Sequence, residues 1–144
     1  MSIRIQVTFD CIDPARVAAF WAEALGYQQQ DPPGGFASWE AFLTSIGVPE
    51  ANWNDANAIV DPEQIGPRIF FQRVDQPKTL KNRVHLDLNV SHRPGTAEHR
   101  SRSLVYAAAD RLIGLGATRV AEFDENGEFW IVMQDIEGNE FCLQ

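Results

Sequence analysis

Apolar and polar residues alternate over residues 3–9, Ile-Arg-Ile-Gln-Val-Thr-Phe, and again over 82–88, Asn-Arg-Val-His-Leu-Asp-Leu. A period of two is that of a strand with one face in a core. The two stretches match at a constant offset: Arg4 with Arg83, Ile5 with Val84, Gln6 with His85, Val7 with Leu86 and Phe9 with Leu88. Each precedes an amphipathic helical pattern that stops at Leu-Gly, at Leu25-Gly26 and at Leu115-Gly116. Such repetition predicts two half-chain modules with a cleft between two similar sheets. Gln6 and His85 are then equivalent polar residues across that cleft, with Thr8 and Asp87 beside them. Ile5, Val7, Val84 and Leu86 are expected beneath the helices.

The first module, residues 1–74, opens with a strand over 2–10. Asp13-Pro14 starts a helix, with Asp as cap and Pro supplying the fixed φ of the first turn. Its buried stripe is Val17, Phe20, Trp21, Ala24 and Leu25. Gly26 ends it, and a short strand over 27–30 follows. Residues 31–55 interrupt the pattern as a helical insertion. Pro32-Pro33-Gly34-Gly35 breaks the chain, then Ser38 caps a short helix with Trp39, Phe42, Leu43 and Ile46 on its apolar side. Strands are expected at 56–60 and 68–74. A linker, 75–81, leads to the second module, residues 82–144. This module has a strand over 82–90, a polar loop with Pro94 and Gly95, and a helix from about Thr96 to Leu115. Leu104, Ala108, Leu112 and Leu115 are expected to face inward. Strands at 118–123, 128–134 and 140–144 close the chain, joined by turns rich in Asp, Asn and Gly. Each module reads βαβββ.

Composition changes this picture little but excludes several functions. A chain of 144 residues with 44% hydrophobic and 22% charged side chains suits one soluble domain with its own core. No run of about 18 apolar residues or signal pattern occurs, so no membrane association and a cytoplasmic location are expected. A net charge of −8 argues against nucleic acid, whose phosphates call for Lys and Arg. Cys11 and Cys142 fall in strand-like segments and read as buried reduced thiols rather than a disulfide.

Three sets of residues carry a family resemblance. They are Val7…Asp13-Pro14-Ala15…Phe20-Trp21…Leu25-Gly26-Tyr27, then Pro77-Lys78…Lys81-Asn82-Arg83-Val84-His85-Leu86-Asp87, then Val132-Met133-Gln134-Asp135…Gly138-Asn139-Glu140-Phe141. In this order and spacing the chain resembles the vicinal oxygen chelate superfamily, and within it the glyoxalase-like and bleomycin-resistance-like proteins. The resemblance implies an α+β fold of two βαβββ modules, with mixed curved sheets around a central cleft, as a single domain over 1–144. It also implies a homodimer, for which the C-terminal strand would leave an edge needing cover.

Metal-dependent members of that superfamily hold a divalent ion with one residue from the first and one from the last strand of each module. Carried over, these positions fall on Gln6, Phe70, His85 and Cys142; a two-residue slip would offer Gln72 in place of Phe70. Phe70 cannot ligate, and Gln, His and Cys without a carboxylate suit a hard ion poorly. No cofactor is expected on this reading, with Gln6 and His85 as residual metal candidates and a divalent ion left open as an alternative.

The candidate ligand-binding set is Gln6, Thr8, His85, Asp87, Trp39, Trp53, Phe70, Gln72 and Cys142. His85 is the candidate catalytic residue for proton transfer near neutral pH, against the plainer reading of a histidine hydrogen-bonded in a polar cavity. Side chains two apart on a strand are neighbours anyway, so an Asp87 contact by itself does not imply catalysis. Cys142 is a nucleophile only where a cation lowers its pKa; otherwise it is a small buried thiol. Phe36, Trp39, Phe42 and Trp53 form either a satellite core or an aromatic lid suited to planar or amphipathic ligands. Three functions follow as alternatives. One is a binder of a small aromatic or amphipathic molecule. Another is a lyase, isomerase or dioxygenase using His85, with or without a metal. The third is a regulatory or partner-binding module with a vestigial cavity.

Overall fold

A computed structural model describes residues 1–91 and 102–144. The loop with Pro94 and Gly95, the expected helix start near Thr96, and His92 and His99 lie outside the described residues. The described chain forms two compact units, Met1–Pro77 and Lys78–Gln144.

The first unit runs β1 (Val7–Cys11), α1 (Pro14–Leu25), β2 (Gln28–Gln29), α2 (Trp39–Ser45), a 3-10 turn (Glu50–Asn52), β3 (Ala56–Val60) and β4 (Ile69–Arg73). Its sheet has the order β1-β4-β3-β2, with β1 parallel to β4 and the other pairs antiparallel. The second unit runs β5 (Leu86–Leu88), α3 (Arg102–Gly114), β6 (Thr118–Glu125), β7 (Glu128–Gln134) and β8 (Glu140–Leu143). Its sheet order is β5-β8-β7-β6, with β5 parallel to β8. The two sheets therefore share one topology. This is an α+β fold of two βαβββ modules, as the repeat implied. The register repeats as well: Thr8 lies opposite Phe70, and Asp87 lies opposite Cys142.

Local chemistry explains the α1 boundaries. The Asp13 carboxylate accepts from the Arg16 N–H at 3.3 Å, satisfying one of the free donors of the first turn. Gly26 stops the helix in the left-handed region at φ 71°, where a side chain costs about 1 kcal/mol or more. Val17, Ala18, Phe20 and Trp21 are buried. Trp21 packs on Phe9 at 5.1 Å, and Phe9 stacks on Phe71 at 5.4 Å, which joins α1 to β1 and β4. In the insertion, Ser38 accepts from the Ala41 N–H at 3.2 Å as the cap of α2. Ile46, expected on the apolar side of α2, is instead exposed.

Three other expectations need correction. Strands β1 and β5 are shorter than the alternating stretches that announced them. Ile5 and Val84 precede the paired residues and are 73% and 81% exposed, so neither packs beneath a helix; Val7 and Leu86 are half-buried. Strand pairing needs a partner as well as a pattern, and the parallel partners start at Ile69 and Glu140.

The inward face of α3 is Val105, Ala109 and Leu112, whereas Leu104 and Leu115 are exposed. Residues 104–109, Leu-Val-Tyr-Ala-Ala-Ala, are apolar nearly all round, so two stripes at helical spacing competed and side-chain pattern alone did not choose. Packing against Phe129, Ile131 and Met133 of β7, all buried, accompanies the Val105 stripe. Finally, β8 lies between β5 and β7 rather than at an edge. The edges of this sheet are β5 and β6.

Candidate functional site

In the second unit, alternate residues of β7 and β8 point away from α3. Phe129, Ile131, Met133, Phe141 and Leu143 fill the core, while Trp130, Val132, Cys142 and Gln144 line the opposite face. The register puts Asp87, Cys142, Val132 and Ala121 in one row across four strands. A cavity of about 600 Å³ lies over this face. His85 and Asp87 are at one end of it, and Phe123 and Trp130 at the other, their rings stacked at 5.2 Å. A typical small-molecule site has a volume of this order.

His85 Nδ1 and Asp87 Oδ1 are 2.7 Å apart, and both side chains are about two-fifths exposed. This contact sets the imidazole ring beside the carboxylate. Cys142 is buried although it faces the cavity. Burial first, then the Asp87 charge and its hydrogen bond, push the thiol up to about 11, against a smaller opposing pull from Lys81. With no cation beyond Lys81 acting on it, a thiol so placed stays protonated near neutral pH. Glu140, two residues earlier on β8, accepts from Lys78 Nζ at 2.7 Å and from the Asn82 N–H at 3.0 Å. Burial alone would raise its pKa, but these donors outweigh it and hold the carboxyl down at about 2.

In the first unit, Ala56 and Ala58 of β3 and Phe70 of β4 lie on one face, as their register requires. The two alanines leave room there, and the insertion brings Trp39, Leu43 and Trp53 to it. The result is a pocket of about 380 Å³ walled by Trp39, Trp53 and Phe70. Both indole N–H groups are used by the scaffold: Trp39 Nε1 donates to the Gln30 carbonyl at 2.6 Å and Trp53 Nε1 to the Val48 carbonyl at 3.1 Å. The rings are thereby held as fixed walls. Phe36, Phe42 and Trp39 form an edge-to-face chain at 5.3 and 5.8 Å, so the insertion is both satellite core and pocket wall.

Arg68 sits over the Phe70 ring at 5.2 Å and donates to Gln30 Oε1 and Gln6 Oε1, each at 2.6 Å. Gln6 also donates to Thr8 Oγ1 at 3.4 Å. Gln72 is exposed on β4 opposite Asp10 and does not line this pocket.

The sequence-predicted residues thus fall into two groups. Trp39, Trp53 and Phe70 share the pocket of the first unit, with Gln6 and Thr8 reached through Arg68. His85, Asp87 and Cys142 share the cavity of the second. Sequence reasoning missed Phe123, and it missed Trp130 and Val132 because residues 129–133 are continuously apolar and conceal which side faces out. It also missed Ala56 and Ala58, for which the Ala-x-Ala spacing was the available signal.

The family profile described as a glyoxalase-like domain matches residues 6–144. The chain belongs to the glyoxalase-like domain family. No curated protein matches the sequence significantly. Solved structures do. A hypothetical protein of S. aureus has 14% identity and a TM-score of 0.63, over 99% of this chain and 93% of that one. A glyoxalase/bleomycin resistance protein/dioxygenase family enzyme from Burkholderia phytofirmans has 16% identity and a TM-score of 0.61, over 96% and 94%. A mutant of the fosfomycin resistance protein FosX from Listeria monocytogenes, complexed with Mn(II) and 1S,2S-dihydroxypropylphosphonic acid, has 13% identity and a TM-score of 0.65, over 100% and 92%. At such identities the likeness shows the fold. Among the described residues no helix is long and apolar enough to cross a membrane.

The four-position metal set that the family resemblance implies does not fit this chain. In the register Phe70 lies opposite Thr8 as Cys142 lies opposite Asp87 in the second unit. Phe70 has no donor atom, and the Gln6 oxygen is engaged by Arg68.

Proposed function

We propose that this glyoxalase-like domain binds a small aromatic or amphipathic molecule without the four-residue metal set of its superfamily. The observation that carries this is the convergence of Trp39, Trp53 and Phe70 on one pocket, with both indoles anchored by hydrogen bonds. Rings held in place before a ligand arrives lose little conformational entropy on binding. Their faces offer stacking worth about 0.5–1.5 kcal/mol per aromatic pair beyond area burial. Arg68, braced by Gln6 and Gln30, adds a fixed cation for a polar end of the ligand.

Titration with a panel of planar carboxylates, phenols and amines, followed by tryptophan fluorescence, tests this reading. Saturable quenching is expected for at least one class, weakened about tenfold in Trp39→Ala or Trp53→Ala, each removing roughly 1.4 kcal/mol of contact. Absence of saturable binding across the panel, or binding indifferent to both substitutions, would refute it.

The His85–Asp87 contact supports a second reading, in which His85 moves a proton in a lyase or isomerase reaction. The two readings differ in what His85→Ala removes: turnover with ligand affinity kept under the second, neither under the first. The proposal includes a homodimer in the cytoplasm.

A further inference from the structure

Three donors of different chemistry converge in the second unit. A ring nitrogen of His85, a carboxylate oxygen of Asp87 and Sγ of Cys142 all lie within 4.8 Å of one another. The sheet produces this directly. His85 and Asp87 are two residues apart and share one side of the chain, and Asp87 is in register with Cys142 on the parallel neighbour β8. Cys142 differs here from an ordinary buried thiol. Its neighbours Phe141 and Leu143 turn into the core, whereas Cys142 turns into the cavity beside the two polar groups.

We propose that His85, Asp87 and Cys142 bind a thiophilic divalent cation, zinc by its chemistry, using residues of the second unit alone. This site differs from the one the family resemblance implies. It omits Gln6 and Phe70, and it takes its carboxylate from the opening strand, at Asp87, where the first unit has Thr8. Imidazole, thiolate and carboxylate together are a borderline-soft set that favours zinc or cobalt. Manganese prefers an octahedron of oxygens, and a single carboxylate with a thiolate does not supply one.

Geometry supports the assignment. Metal–ligand lengths of about 2.0–2.3 Å in a tetrahedron place donor atoms roughly 3.3–3.8 Å apart. From the 4.8 Å bound the Cys142 sulfur meets that range by closing at most about 1.3 Å, and the 2.7 Å His85–Asp87 contact meets it by opening somewhat more than half an ångström. Both side chains at that contact are exposed enough to rotate.

Three protein ligands leave a fourth position open to the cavity, where water or a ligand oxygen completes the tetrahedron. Val132 lies beside Cys142 in the register, and Phe123 and Trp130 wall the far end of the same cavity. In the binding step the S–H bond of Cys142 breaks, its proton passes to solvent, and the sulfur electron pair forms the bond to the metal. His85 binds as the neutral imidazole, and its hydrogen bond to Asp87 is exchanged for two metal bonds. No oxidant or reductant takes part.

The experiment uses the full chain freed of metal by chelator and then titrated with Co(II), Zn(II) and Mn(II). One equivalent of Co(II) is expected to give a near-ultraviolet thiolate-to-cobalt band and visible bands of tetrahedral intensity. Zn(II) should displace it and Mn(II) should not. Cys142→Ser should abolish the near-ultraviolet band. His85→Gln and Asp87→Asn should each weaken Zn(II) binding by about tenfold or more. Circular dichroism monitors folding, and if Cys142→Ser does not fold, the two variants at exposed positions decide. The proposal is overturned by the absence of stoichiometric binding or by Mn(II) competing on equal terms. Affinity unchanged in His85→Gln and Asp87→Asn also overturns it, since the ion then sits on other histidines or on Cys11.

Discussion

Glu140 is the residue on which most local chemistry converges. Lys78 and the Asn82 backbone both donate to its carboxylate, and the Asn82 side chain donates to its carbonyl at 3.3 Å. The opening segment of the second unit is thereby tied to its last strand. The carboxyl is held at about 2 from an ordinary value of 4.5. A depressed carboxylate stabilises the folded state above its unfolded pKa and loses that contribution as pH falls through the folded one. The Glu140 contribution is thus complete above about pH 5 and lost progressively toward about pH 2. Urea midpoints measured across this window should fall less steeply for Glu140→Gln than for the native chain. Parallel curves would show that the Lys78 and Asn82 contacts contribute nothing to stability. Neighbouring side chains behave differently because their surroundings differ: Cys142, one register step away, is shifted upward by burial and by Asp87.

Helix α3 shows how an element chooses its face. Its sequence offers two stripes, one through Leu104 and Ala108 and one through Val105 and Ala109, and both include Leu112. Only the second is buried against the sheet. Leu112→Ala should therefore cost about 2–5 kcal/mol through the cavity it leaves, while Leu104→Ala should stay within about 0.5 kcal/mol. Chemical denaturation of both variants measures the difference, and equal losses would mean that the Leu104 stripe is covered. Helix α1 had no such ambiguity, because Glu23 and Arg16 mark its outer side and the Asp13 and Gly26 caps mark its ends. The insertion helix α2 buries no residue fully. Its aromatic side chains serve the pocket wall as much as the core.

At the scale of the molecule, the proposed homodimer is tested by sedimentation velocity at micromolar protein. A species near twice the 16.2 kDa chain mass is expected, and a single species at that mass removes the proposal. Each four-stranded sheet has two edge strands, β1 and β2 in one, β5 and β6 in the other, and edge strands call for pairing or cover. The duplication was legible from the sequence because alternation and Leu-Gly stops are local signals that survive in each copy. The same signals determined the element order and the boundaries of α1 and α2. The matching of Phe70 with Cys142 came from the family resemblance, and in the sheets the two lie opposite the equivalent residues Thr8 and Asp87. Three things waited for the tertiary structure. Strand length was decided by where the parallel partner begins, which left Ile5 and Val84 outside the sheets. The face of α3 was decided by packing, since its apolar residues surround the helix. The grouping of Asp87 with Cys142 and His85 was decided by cross-strand register, which joins residues 55 positions apart and leaves no trace in the local pattern of either strand.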